Sequence, residues 1–241
     1  MQKEMYEELL QNSVLIPPMD IFEAPGTHEE VVRRLIRHWA EIAARDNFES
    51  ELTFESLSWL LRSLGQATES IAFHGSAIYA AEGQYINDID VVRFTEITSP
   101  QFSSILPQSV NVLERNFYIG QVFEGLEPTC TNSMILYSWS KRAIERRQAE
   151  IERIRQNSKE ILDMLVVIAL GKIMKRKGLD IKSDGIDKVE IERCARSMDV
   201  RDFREMTDQA LRRMRVKQAE IPRIADQFVR QLRKARRKTR N

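Results

Sequence analysis

Cysteine, histidine, glycine and proline are all scarce in this sequence, and each scarcity removes a class of protein from consideration. Two cysteines, Cys130 and Cys194, in 241 residues cannot build a disulfide framework. A reducing, cytoplasmic setting and ordinary thiols are expected instead. Three histidines, His28, His38 and His74, stand far apart with no cysteine or acid at metal-ligand spacing, so they read as structural or surface residues. Nine glycines and seven prolines are few for a fold built on many tight turns, which favours helices. There is no G-x-S-x-G elbow, no Cys-x-x-Cys, no G-x-x-x-x-G-K-[ST] and no G-x-G-x-x-G. No catalytic set, cofactor site or metal site is therefore expected, and the chain reads as non-enzymatic. The most apolar run, Ile161–Leu170, is interrupted by Asp163 and falls short of the roughly 20 residues of a spanning helix. The acid-bearing start MQKEMYEELLQ lacks the apolar stretch of a secretory signal.

What the sequence has in quantity is charge, unevenly divided. Residues 141–241 carry 29 Lys and Arg against 16 Asp and Glu, a net of +13, while residues 1–140 carry 8 against 20, a net of −12. A change of sign this abrupt marks a change of module or partner. It also lets the halves attract one another, within or between chains.

Helical periodicity organises most of the chain. Residues 3–12 form a short amphipathic helix, and Pro17, Pro18 and Pro25 make the next stretch an extended arm. Thr27 and Glu30 have capping-box spacing ahead of Val31, Val32, Leu35, Ile36, Trp39 and Ile42. A second helix starts at Thr53 and ends at Gly65. A third, rich in small residues, spans about Thr68 to Ala81. A fourth, capped by Asn87 or Asp88, carries Val91, Val92 and Phe94. Val110–Leu113 and Phe117–Phe123 form a candidate hairpin. From Ser140 the sequence reads as one long helix, or two with a break near 157–158. Ile144, Ile151, Ile154, Ile161, Leu165 and Ile168 follow heptad-like steps, with Arg147 and Ser158 also on the seam. Val189–Met198, Asp199–Met214 and a last helix bearing Ile221, Ile224, Ala225, Phe228, Val229 and Leu232 complete the chain, with Pro222 in the first turn of the last. The fold class is mainly α, with five stretches. These are an N-terminal helix and arm (1–26), an acidic helical bundle (27–97), a linker or insert with a candidate short hairpin (98–139), a long helix and basic helical domain (140–217), and a basic tail (218–241).

The paired acids Asp88 and Asp90 point to different faces if they lie on a helix, which leaves Asp88 as a cap and neither as a metal ligand. Cys194 has basic neighbours but a core-like helical position. Asp180, Asp184 and Asp187 around Gly185 do not keep calcium-loop spacing.

Basic residues are the positive signal. Residues 212–241 hold 12 Lys and Arg against Glu220 and Asp226, a net of +10. The candidate nucleic-acid contacts are Arg212, Arg213, Arg215, Lys217, Arg230, Arg233, Lys234, Arg236, Arg237, Lys238 and Arg240, with Arg201 and Arg204 before them. A second cluster is Lys172, Lys175, Arg176 and Lys177, part of which serves the helix dipole. Such residues neutralise phosphates without reading bases, so DNA or RNA binding is expected to be salt-sensitive. Aromatic residues are few in this half, which suits duplex backbone contact better than single-strand stacking. The function expected is non-enzymatic nucleic-acid binding through the basic half, with the acidic unit contacting protein. The alternative is an assembly subunit that forms a homo-oligomer through its long helix and opposite charges, or binds an acidic protein.

Two segments resemble parts of the origin-recognition and replicative-helicase ATPases of the AAA+ class. Leu57–Phe94, with a helix over Glu69–Ala81 followed by Glu82-Gly83-Gln84-Tyr85-Ile86-Asn87-Asp88-Ile89-Asp90-Val91, resembles their helical lid. Ile161–Met214 is similar to the winged-helix module that follows it. The resemblance implies a C-terminal helix entering a nucleic-acid groove with Arg201, Arg204, Arg212 and Arg213 exposed. The ATPase core has no counterpart here.

Overall fold

Thr27 and Glu30 cap each other's backbone: the Thr27 N–H donates to the Glu30 carboxylate at 2.8 Å and the Glu30 N–H to Thr27 Oγ1 at 3.3 Å. This reciprocal pair launches the most regular helix of the N-terminal half, and it holds the Glu30 carboxyl below the usual carboxylate range. The computed structural model describes residues 2–45, 70–86, 88–94, 110–114, 131–156, 158–181 and 188–238. Among them the elements are α1 (Gln2–Asn12), β1 (Ser13–Ile16), α2 (His28–Arg45), β2 (Ser70–His74), α3 (Ser76–Tyr79), β3 (Ile89–Phe94), β4 (Val110–Glu114), β5 (Met134–Tyr137), α4 (Lys141–Arg155), α5 (Ser158–Arg176), α6 (Lys188–Ala195), α7 (Val200–Arg213) and α8 (Ile221–Lys238). Helices dominate, no described helix is long and apolar enough to cross a membrane, and the chain divides into two compact units.

The first unit, residues 1–18 and 24–156, is built on a sheet of five strands in the order β1-β5-β2-β3-β4. All neighbours are antiparallel except β3 and β4, which run parallel. On one face Ile71, Phe73, Ile89, Val91, Ile135 and Tyr137 pack with Leu9 of α1 and with Val31, Val32, Leu35, Trp39 and Ile42 of α2. On the other, Ala72, Val92, Phe94, Met134 and Leu136 meet Ile144 and Ile151 of α4. Arg147 of α4 is also buried there, bonded to Glu150 at 2.7 Å with its guanidinium 5.2 Å from the centre of the Phe94 ring.

This sheet corrects the expected N-terminal helical bundle. The helix expected over Thr68–Ala81, including the lid-like Glu69–Ala81, is strand β2, a turn at Gly75 and the single turn α3. The helix expected after Asn87 is strand β3. Both strands lie inside the sheet with apolar residues on both faces, so neither shows the alternation of a half-exposed strand. The β-branched Ile89, Val91 and Val92 fit a buried pleat. Val110–Leu113 does fall in a strand, β4, but its described partner is the parallel β3 rather than a hairpin mate. Phe117–Phe123 and the helix expected over Thr53–Gly65 lie outside the described residues.

The second unit, residues 19–23 and 157–241, is helical. The expected break near 157–158 falls between α4 and α5. Val166, Leu170, Ile173 and Met174 of α5 share a core with Phe203, Met206, Ala210 and Leu211 of α7 and with Ile221, Ile224, Ala225, Phe228, Val229 and Leu232 of α8. Asp199 caps α7, accepting from the Arg201 N–H at 2.7 Å. The short segment 19–23 joins this unit by an isolated bridge between Phe22 and Val216, and Phe22 is buried in the same core.

Candidate functional site

The basic residues picked out from the sequence lie in the second unit. Along α8 the buried apolar stripe leaves Arg230, Arg233, Lys234 and Arg237 exposed, at the three- and four-residue steps that keep them on one helical face. Among the described residues none of these four makes an ion pair. Arg212 and Arg213 at the end of α7, Lys217 after it, and Lys172, Lys175, Arg176 and Lys177 at the end of α5 are exposed too, as is Arg201. Others have structural work. Arg236 is half-buried and donates to the carbonyls of Ala195, at 2.6 Å, and Met198, so it ties α8 to the end of α6. Arg204 pairs with Asp226, bridging α7 and α8. Arg215 is half-buried in a left-handed conformation, φ 60°, with its carbonyl accepting from the Glu23 N–H. The Lys238 side chain and Arg240 lie outside the described residues.

A second site was not expected from the sequence, and it is created by the strand character of residues 89–94. Successive side chains on a strand alternate faces, so residues two apart point the same way. Asp88, immediately before β3, and Asp90 within it are therefore brought together, where a helix would separate them. Burial first, and then the charge of Asp88, push the Asp90 carboxyl up to about 6. Asp90 stands opposite His74 in the antiparallel register and beside Asn111 in the parallel one.

Gly75 closes this site from the β2 side. It adopts φ 75°, and a Cβ there would stand 2.1 Å from Oδ2 of Asp90. Only a glycine lets the backbone turn come this close to the carboxylate. Gly75→Ala is accordingly expected to cost about 1–3 kcal/mol in strain and to push Asp90 aside. Urea unfolding measures the cost, and unchanged stability would mean that the turn does not hold this conformation.

From Gly75 the chain passes through Ser76 and α3 and returns to Asp88 along a loop held by one face of α2. Arg34 donates to the Ile78 carbonyl, and His38 Nε2 lies 3.1 Å from the Ala80 carbonyl. Arg37 pairs with Glu82 at 2.9 Å. Arg45 donates to the Ile86 carbonyl at 2.9 Å. Residues 34, 38 and 45 recur at helical steps, so a single face of α2 holds the carbonyls of Ile78, Ala80 and Ile86. Tyr79 Oη accepts from the Ser133 N–H at 3.0 Å, which anchors α3 to the start of β5.

A half-buried carboxylate whose proton affinity is raised by burial and by a neighbouring acid carries a charge that a divalent cation would relieve. Mg²⁺ in particular is commonly held by one or two carboxylates, with water and substrate phosphates filling its other positions. Among the described residues no group of three or more His, Cys, Asp or Glu is gathered for a metal. Of the histidines, His38 is buried between Ala80 and Glu41. His28 Nε2 lies 2.9 Å from Ser13 Oγ, and its burial lowers its proton affinity. Both are structural. Cys194 donates to the Asp180 carbonyl, and burial raises its thiol. No protein-family model, no curated protein and no solved structure matches the chain.

Proposed function

We propose that this protein catalyses divalent-metal-dependent nucleotidyl transfer in its first unit and contacts nucleic acid through the phosphates with its basic second unit. The observation that carries the catalytic half is the placing of Asp90 against the Gly75 turn, with the charge of Asp88, two residues earlier, acting on it. In this reading Asp88 and Asp90 would hold the cation against the phosphates of a nucleoside triphosphate. An acceptor hydroxyl attacks the α-phosphorus. A new P–O bond forms, the bond to pyrophosphate breaks, and the hydroxyl proton leaves to water. A cation held by Asp88 and Asp90 would supply neutralisation of the charge that develops in phosphoryl transfer. A polyanion-binding surface on the same chain favours a nucleic-acid acceptor over a small one.

Residues two apart diverge on a helix and share a side on extended backbone, which is what admits Asp88 and Asp90 to this reading. A second reading, nucleic-acid binding without catalysis, is supported by the exposed α8 stripe. Assembly through the heptad-like stripe is less favoured, because Ile144 and Ile151 already pack on the sheet and Ile161 is buried within the other unit.

The test is to incubate the full chain with each nucleoside triphosphate labelled at the α-phosphate, with Mg²⁺ or Mn²⁺, and with RNA, DNA or protein acceptors. Label transfer with release of pyrophosphate is expected, and Asp88→Asn and Asp90→Asn should abolish it. Absence of transfer, together with nucleic-acid binding that is unchanged in both variants, would overturn the catalytic reading and leave the binding one.

A further inference from the structure

Tyr85 is one of the few large apolar side chains among the described residues that is mostly exposed, at 72%, although it sits on a loop otherwise pinned to α2. One face of its ring is covered by the Arg45 guanidinium, 5.0 Å from the ring centre. The same guanidinium donates to the Ile86 carbonyl, so the arginine that covers the ring is itself fixed. The backbone on either side is held as well, by His38 at Ala80 and Arg45 at Ile86. An aromatic ring pre-oriented in this way has lost little freedom still to be given up on stacking. It stands three residues before Asp88, on the loop that leads into β3 and Asp90.

Phosphates whose cation is held by Asp88 and Asp90 leave the nucleoside end of the substrate to find a surface nearby. A flat ring with a cation behind it and solvent in front is a platform for a nucleobase: bases stack on aromatic side chains with little regard to sequence, and a guanidinium adds to the stack. We infer that Tyr85 is the nucleobase platform of this site, and that the ligand class is a nucleoside triphosphate rather than an inorganic polyphosphate or a phosphorylated protein. The inference rests on the metal–phosphate reading of Asp88 and Asp90.

The experiment separates the two. Calorimetry in Mg²⁺ compares α,β-methylene-ATP, which cannot react at the α-phosphorus, with inorganic tripolyphosphate, which has no base. The full-length chain is expected to bind the nucleotide roughly tenfold more tightly, the scale of one base–aromatic stack. Tyr85→Ala should erase that difference and leave tripolyphosphate binding unchanged, while Tyr85→Phe and Tyr85→Trp should keep it. Equal nucleotide affinity in Tyr85→Ala and the parent overturns the assignment of Tyr85 and leaves the metal site standing. If tripolyphosphate does not bind the parent, or binds Asp88→Asn and Asp90→Asn equally well, the metal–phosphate reading fails and the platform falls with it.

Discussion

Asp90→Asn is expected to raise the melting temperature of the metal-free protein above pH about 6 and to abolish its divalent-cation binding. The carboxyl is shifted from an ordinary 3.8 to about 6 in the folded chain, first by burial and then by Asp88. Between those values the folded state binds more protons than the unfolded one, so stability falls as pH rises across the window. Above it the buried charge is a standing cost, which the asparagine amide does not carry. The gain should be modest, roughly 2–4 °C, the response of a chain this size to about 1 kcal/mol, because solvent still screens a site only partly enclosed. Below pH about 4 the parent carboxyl is protonated in both states, and the difference should vanish. Cation affinity runs the other way. The ligand must be deprotonated, so the parent should bind Mg²⁺ or Mn²⁺ more tightly as pH climbs through about 6, and bound cation should restore the stability lost there. Differential scanning calorimetry over a pH series, with and without Mn²⁺, reads both effects. An Asp90→Asn protein that melts lower than the parent at every pH, or that binds Mn²⁺ as well, would show that the carboxylate is structural.

How much of this was legible in the sequence depended on which period each segment carried. Helices α2, α7 and α8 have one apolar stripe and one polar face, and the starts of α2 and α7 are written in side chains that cap them, Thr27 with Glu30 and Asp199. These were readable. Strands β2 and β3 were not, because they are five and six residues long and lie inside the sheet. Ala72, Gly75, Ser76, Ala77 and Ala80 mimic a small-residue helix, and nothing local distinguishes it from a buried strand turning at a glycine. That one ambiguity decided the reading of the acids. Two residues apart on a helix they diverge; two apart on a strand they converge. The available signal was Ile89, Val91 and Val92 around Asp90, β-branched residues that favour a strand, following a Gly-Ser pair. The basic surface was legible in outline because composition alone reveals it. That Arg236 and Arg204 are tied to Ala195, Met198 and Asp226 was not, since it depends on which helix lies beside which.

That distinction gives the second large effect. Replacing Arg230, Arg233, Lys234 and Arg237 together by glutamine is expected to weaken nucleic-acid binding steeply at low salt and flatten its salt dependence. Each phosphate contact contributes about 0.9 to the slope of log affinity against log salt on duplex DNA. Losing four should therefore lower the slope by roughly 3–4, uniformly across unrelated sequences, because phosphate contacts position without specifying. The four side chains are exposed and make no ion pair among the described residues, so the variant should unfold at the parent's urea midpoint. Arg236→Gln should do the reverse. It removes charge-assisted bonds to the carbonyls of Ala195 and Met198, at about 1.5–3 kcal/mol for each such bond, and so lowers the urea midpoint while leaving the salt slope close to that of the parent. Fluorescence anisotropy over a salt series, paired with urea unfolding, resolves the four outcomes. If the quadruple variant keeps the parent's slope, the α8 face does not carry the phosphate contact. Binding of an acidic protein that this variant loses would then assign the face to protein recognition.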